Sequence, residues 1–361
     1  MIQADGDIMK SMLTKFMHLT GQLSVMLLVA FLLPAQASAQ KILRYSDHEP
    51  LGGMRTKFIK DVFLAAIEKE SQGRLKVENH WDSTVSVGYD ALGVVGKGQA
   101  ADMAVVVPEY TANALPLHQI FKSFPTGPTG QKQVDFFRRV YRDVPAFSGE
   151  LAKNNVVPIF LATGYPVAFF STRPLNTLSD IQGQTWRSAS FWHKDFLQNA
   201  GAIPVTIPWG EKVFDALQAR TLDGLMVNVD SGYMLKVPAA APYVLLSKDL
   251  WLGHLYILAM NRDTWNGLTK EDKAAIGRAA ETAYKALGPV MDSSFEAIVA
   301  DMKIDGAQVR LLHPRELEAW KKAIQYKKVQ ASWVKEQKGK GVKDAALVLK
   351  KVSAILSDTT Q

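Results

Sequence analysis

The 361-residue chain contains no cysteine, which excludes a disulfide-stapled scaffold, a zinc-thiolate module and a cysteine-ligated iron–sulfur protein together. Several catalytic signatures are missing as well. There is no Gly-x-Ser-x-Gly turn to raise a nucleophilic serine, no Gly-x-x-x-x-Gly-Lys-Ser/Thr loop to cradle phosphate, and no His-Glu-x-x-His pair to hold zinc. The histidines, at 18, 48, 80, 118, 193, 254 and 313, include no pair at metal-ligand helical spacing, so neither a metal nor a cofactor is expected. One stretch, Gly96-Lys97-Gly98-Gln99-Ala100-Ala101, comes near a dinucleotide fingerprint. It follows a helical pattern and precedes a strand, the reverse of the order that presents a helix N-terminus to a pyrophosphate, and so reads as a helix stop.

What is present has globular character: 47% hydrophobic and 21% charged residues, with 25 Gly and 16 Pro, show neither a disordered nor a fibrous bias. The length favours two domains, each with apolar content enough for a core. Residues 1–39 read as an export signal. Lys10 and Lys15 give a basic start, Gln22 to Leu33 an apolar centre, and Ala37-Ser38-Ala39 a small-residue cleavage site, with Gln40 as the expected first mature residue. The apolar run is shorter than the ~20 residues a membrane span needs, and no later stretch reaches that length, so no membrane insertion is expected after cleavage.

The formal net charge is +7, and the signal contributes nothing to it because Asp5 and Asp7 offset Lys10 and Lys15. A basic exported protein mildly attracts anions. Nucleic acid is not the expected partner, because the lysines between 321 and 351 are spread at helical spacing among Glu, Asp, Ala and Val. They read as a solvated helical face.

Lys41 to Ser46 reads as a strand. Phe58, Ile59, Val62, Phe63, Ala66 and Ile67 then recur at helical intervals over Thr56 to Ser71, with Gly73 as the stop. Strands over Arg74 to Trp81 and Asp102 to Val107, separated by a helix over Gly88 to Lys97, complete a β-α-β-α-β opening of parallel-sheet type. Ligand crevices in such sheets lie at the carboxyl ends of the strands. Past a less regular middle, strands at 156–162, 168–172, 185–188, 203–207 and 223–227 alternate with helices at 191–199 and 209–219, so a second sheet begins near residue 163. Helical spacing over Thr269 to Ile304 is long enough to run along both halves. Asp47 and Glu49 could form an acid/base pair, but as neighbours in a loop they read better as capping groups. Exported, two-domain and without catalytic motifs, the chain points to ligand capture.

Three stretches resemble the extracytoplasmic solute receptors of TRAP transporters, the tripartite ATP-independent periplasmic uptake systems for organic acids. They are Gly88 to Met103, Pro174 to Ser188, and Gly201 to Gly224, in which Leu217 to Gly224 keeps the family frame except for Arg220 where glycine is usual. The resemblance implies an α/β, two-lobed periplasmic-binding-protein-like fold with two open sheets, an interdomain cleft and a long helix spanning both lobes. It implies lobes of 40–163 with 254–291 and of 164–253 with 292–361. It also implies a periplasmic receptor that closes by hinge motion on a carboxylate and delivers it to a TRAP membrane permease.

The family arginine falls on Arg187, whose planar fork of donors matches two carboxylate oxygens and which, unlike lysine, is geometrically selective. Asn228 falls at the family's polar position. His48, Glu49 and Glu109 follow strand ends and so face the crevice, and Trp209, Phe191, Trp192 and Trp81 are expected near its edges as an apolar wall. Family members for larger acidic ligands carry a further arginine in the region that here reads Gly164 to Ala168, without a basic residue, and Arg173 is a poor substitute. A monocarboxylate, aromatic acids included, is therefore expected. Two further roles stay open: a sensory co-receptor for a signalling kinase, and a periplasmic enzyme using Glu109 or Glu49.

Overall fold

The computed structural model describes residues 40–207, 209–251 and 253–360; the expected signal at 1–39 lies outside them. Two sheets organise the described residues. The first contains β1 (Lys41–Ser46), β2 (Leu75–His80), β3 (Met103–Val106), β4 (Val156–Thr163) and β10 (Leu255–Asn261), in the order β2-β1-β3-β10-β4. The second contains β5 (Val167–Ser171), β6 (Thr185–Arg187), β7 (Ile203–Val205), β8 (Gly224–Asn228), β9 (Tyr243–Leu246) and β11 (Gln308–Leu311), in the order β11-β9-β5-β8-β6-β7.

Both sheets are mixed rather than parallel throughout, which corrects the expectation. β1 pairs parallel with β3, but β10 lies antiparallel between β3 and β4. In the second sheet β5 lies antiparallel between β9 and β8, while β6 pairs parallel with β7 and β8. The reason is topological. β4 runs straight on through Gly164-Tyr165-Pro166 into β5, and the chain returns from β9 to β10, so each sheet receives one strand that comes across from the other.

Met54–Phe58, Ile59–Leu64 and Ala65–Glu70 form one continuous helix, α1, whose middle segment is π-wound. Phe58, Ile59, Phe63 and Ile67 are buried along its inner face at the spacing read from the sequence. The helix Ala91–Lys97 ends on Gly98 with φ 68°, the left-handed C-terminal stop expected of that glycine. Along β5 the side chains alternate. Phe169 packs into the core shared with the first lobe and the C-terminal helices, Phe170 into the second lobe's own core, and both are fully buried.

Helix α2 (Gly130–Asp143) covers the first sheet, α3 (Phe191–Asn199) packs beside β7, and α4 (Lys270–Ile304) contacts α1, α2 and β4 on one side and β11 with the helix Val229–Met234 on the other. The last helix, α5 (Ala345–Thr360), departs from the expected division of the chain. It lies against α2, with Arg139 and Asp358 2.9 Å apart, so this end of the chain returns to the first lobe. Lys322, Lys327, Lys328, Lys335, Lys338, Lys343, Lys350 and Lys351 are all exposed, on or between the C-terminal helices. Among the described residues no helix is long and apolar enough to cross a membrane.

Candidate functional site

The carboxyl ends of four strands converge on one cleft between the sheets. β1 leads into His48 and Glu49, β3 into Glu109 and Tyr110, and β6 ends in Arg187, followed by Ser188, Ala189 and Ser190. β8 ends in Asn228, and the segment entering β10 adds His254 and Tyr256. With Lys122, His193, Trp209, Met226, Val227 and Ser231 these residues line the cleft.

Arg187 is 2% exposed. Its Nε donates to the carbonyl of Ile207 at 2.9 Å, and its Cζ lies 5.2 Å from the centroid of the Trp209 ring, which together fix the plane of the guanidinium. No carboxylate pairs with it among the described residues. Burial lowers its pKa to about 10, and only the weak pull of Tyr110 and Tyr89 opposes this, so the group remains a cation at neutral pH. Asp180, a conceivable partner by sequence, instead caps its own turn by accepting from the backbone of Asn176 and Thr177. Next to Arg187 the chain enters α3 through Ser190. Ser190, the N-cap of α3, lines the cleft, so the positive end of that helix lies at it, with no acidic residue in the first turn to offset it.

The first lobe supplies ion pairs. Arg55 on α1 donates two hydrogen bonds to Asp47, at 2.7 and 2.9 Å, and one to Glu49 at 2.8 Å, with its Cζ 4.5 Å from the Tyr256 ring centroid. Burial alone would raise the Asp47 carboxyl, but the charge and hydrogen bonds of Arg55 outweigh it and hold the carboxyl below its ordinary range. Asp47 Oδ1 also accepts from the Glu49 backbone at 3.0 Å, the capping role read for this loop. Lys122, in the turn of 3-10 helix Leu117–Ser123, donates to Glu109 Oε1 and lies 3.3 Å from His254 Nδ1.

That juxtaposition depends on Gly253. Its φ is +57°, and a Cβ there would stand 2.0 Å from the Phe121 carbonyl oxygen, so only glycine lets the two segments meet. Burial lowers the pKa of His48, and with the nearby charge of Lys122 it brings His193 to about 3 and His254 well below its ordinary value, so these three rings are neutral at pH 7.

Of the residues expected from sequence, Arg187, Asn228, Trp209, His48 and Glu109 all line the cleft. Phe191 does not. It is 41% exposed and stacks on Trp192, because the helical period turns 192, 193, 196 and 197 inward and leaves position 191 facing out. Trp192 is core, packed against Trp333, and Trp81 packs edge-on to Tyr45. The Asn228 amide is already engaged, since Nδ2 donates to Asp230 Oδ1 and to Ser231 Oγ, so its carbonyl oxygen is the group left for a ligand. Arg173 is 65% exposed at its side chain and sits 3.4 Å from Asp223, away from the cleft.

Sequence reasoning missed Lys122, Tyr110, His193, His254 and Arg55. Lys122 alone carried a signal, as the one charged residue between Ile120-Phe121 and Ser123-Phe124. Among the described residues no group of three or more His, Asp or Glu side chains could hold a metal ion.

The family model described as bacterial extracellular solute-binding protein, family 7, matches residues 46–333. A solute-binding protein of Chromohalobacter salexigens is 23% identical over 273 residues, covering 73% of this chain and 76% of its own length. Among solved structures, the periplasmic ectoine-binding protein of the TeaABC TRAP transporter of Halomonas elongata has a TM-score of 0.76 at 19% identity, over 88% of this chain and 100% of its own. A TRAP solute-binding protein of Rhodoferax ferrireducens, in complex with copurified benzoate, has a TM-score of 0.77 at 18% identity, over 89% of this chain and 99% of its own. The solved structures establish the two-lobed fold, and the resemblance drawn from residues 88–103, 174–188 and 201–224 is borne out.

Proposed function

We propose, from the premise that this chain belongs to the bacterial extracellular solute-binding protein family 7, that it is a TRAP-type receptor gripping a small monocarboxylate between its lobes through Arg187. The observation that carries this reading is a buried guanidinium with no carboxylate partner among the described residues. Burying a cation without compensation is costly, and an anion entering the cleft removes the cost by pairing with it. Each charge-assisted hydrogen bond contributes roughly 1.5–3 kcal/mol, so a two-bond clamp supplies a large share of the ~8 kcal/mol of a micromolar complex. Trp209 lies against the guanidinium and lines the cleft, an aromatic surface that suits a flat or aromatic acid.

Closure needs no chemistry. A ligand touching Arg187 in one lobe and His48 or Glu109 in the other favours the closed form by the contacts available only there. The closed protein then hands its cargo to a membrane permease. Turnover has little support from the same residues. The two carboxylates named for it are both in ion pairs, Glu49 with Arg55 and Glu109 with Lys122.

The test is a thermal-shift screen of aliphatic, keto, hydroxy and aromatic acids against neutral sugars, followed through tryptophan fluorescence. An acid should raise the melting temperature with the logarithm of its concentration, adding about 2.7 kcal/mol at a hundredfold excess over Kd, with a saturable signal from Trp209. Stabilisation by neutral sugars alone would sink the proposal.

A further inference from the structure

Lys122 and Glu109 form a pair whose hydrogen-bonding capacity is not used up. An ammonium has three donors. One goes to Glu109 Oε1 and one faces His254 Nδ1 at 3.3 Å, while the third has no partner among the described residues. Glu109 Oε1 takes the lysine and stands 3.6 Å from His254 Nε2, whereas Oε2 accepts no hydrogen bond among the described residues. Both side chains line the cleft in the first lobe, opposite Arg187 in the second. The side chains of Lys122 and Glu109 are 7% and 9% exposed, so little water is present to satisfy these groups once the lobes close.

We infer that Lys122 is a second ligand-contacting residue which, with Glu109, reads a donor–acceptor group beside the ligand's carboxylate, so that the ligand is a hydroxy acid or a lactam acid. The inference rests on the receptor reading above and narrows its substrate class. A hydroxyl can donate to Glu109 Oε2 and accept from Lys122; a lactam does the same with its N–H and C=O. A plain hydrocarbon tail would cover the pair and strip its water with nothing in return. A second carboxylate would gain Lys122 but meet Glu109, whose charge offsets the lysine. A site built to bond an O–H or N–H rejects the analogue lacking it far more strongly than an apolar pocket rejects a change in size.

The test is calorimetric titration with three matched pairs: lactate against propionate, mandelate against phenylacetate, and pyroglutamate against cyclopentanecarboxylate. In at least one pair the wild-type protein should bind the polar member at least ~tenfold more tightly. Lys122→Met should bring that ratio to near parity by weakening the polar member. Because this substitution leaves Glu109 buried and unpaired, the double variant Lys122→Met/Glu109→Gln is measured alongside, with folding checked by a thermal melt. Three results overturn the inference: a wild-type ratio of one in every pair, a ratio preserved in a folded variant, or loss of both members together, which would put Lys122 on the carboxylate itself. Failure of the wild-type protein to bind any of the six acids would instead overturn the receptor reading, and this inference with it.

Discussion

Arg55 and Arg187 are both buried and both lie against an aromatic ring, Arg187 lining the cleft and Arg55 touching the cleft residues Glu49 and Tyr256, yet the fold treats them in opposite ways. Arg55 in the first lobe is enclosed by Asp47 and Glu49, which accept three hydrogen bonds from it. Arg187 in the second lobe has, among the described residues, a single carbonyl oxygen for its Nε and no carboxylate. A buried charge that the protein compensates by itself ties a loop to a helix. One that the protein leaves uncompensated calls for a partner from outside the chain, which is the role proposed for the ligand carboxylate.

The widest separation between the two arginines should appear on substitution of Arg187. Arg187→Ala should weaken carboxylate binding by a factor of roughly 100 or more, and Arg187→Lys by at least about ten, as judged by calorimetry. The melting temperature without ligand should hold or rise, since an uncompensated buried charge has been removed. Wild-type affinity in both variants would end the clamp assignment. Arg55→Met should do the converse and destabilise the fold by about 3–5 kcal/mol in urea unfolding, because Asp47 is left buried and alone. Adding Asp47→Asn to that variant should recover part of the loss, and no recovery would mean that Arg55 acts through packing.

The smallest effect concerns the neutral cleft histidines. His193 titrates near 3 in the folded protein because of burial and, secondarily, the charge of Lys122, against about 6.5 in an unfolded chain. Its folded pKa is depressed, so the unfolded state binds the proton first as pH falls. Stability is intact above about pH 6.5 and declines as pH drops from there toward 3. His193→Leu should flatten the melting-temperature profile between pH 7 and 4, and an unchanged slope would place the acid sensitivity elsewhere.

Much of the architecture was legible. Alternate and helical spacing located α1, α3 and α4 and the strands β1 to β8 to within a few residues, since these patterns record which side of an element is buried. β9, β10 and β11 were not assigned. Leu255 to Asn261 is an apolar run buried along its length like β3, β5 and β8, and such a run shows no alternation to tell a strand from a buried helical segment. Phe191 was assigned to the wrong side of its helix start, where one residue of rotation exchanges cleft for solvent. At position 220 the family frame prefers glycine, and the backbone there has φ +59°, which Arg220 tolerates while its guanidinium donates to the Thr172 carbonyl at 2.9 Å.

The order of residues was enough to locate most of the elements, to raise the export signal as an expectation and, through the family resemblance, to nominate Arg187, since a side chain's charge and bonding capacity belong to its type. Folding alone decided which cations remain free. Lys122 meets Glu109 and His254, and Arg55 meets Asp47, only because separate segments pack together, while among the described residues no carboxylate pairs with Arg187. Compensation of a charge is a property of its surroundings, and those surroundings are assembled from parts of the chain far apart in sequence.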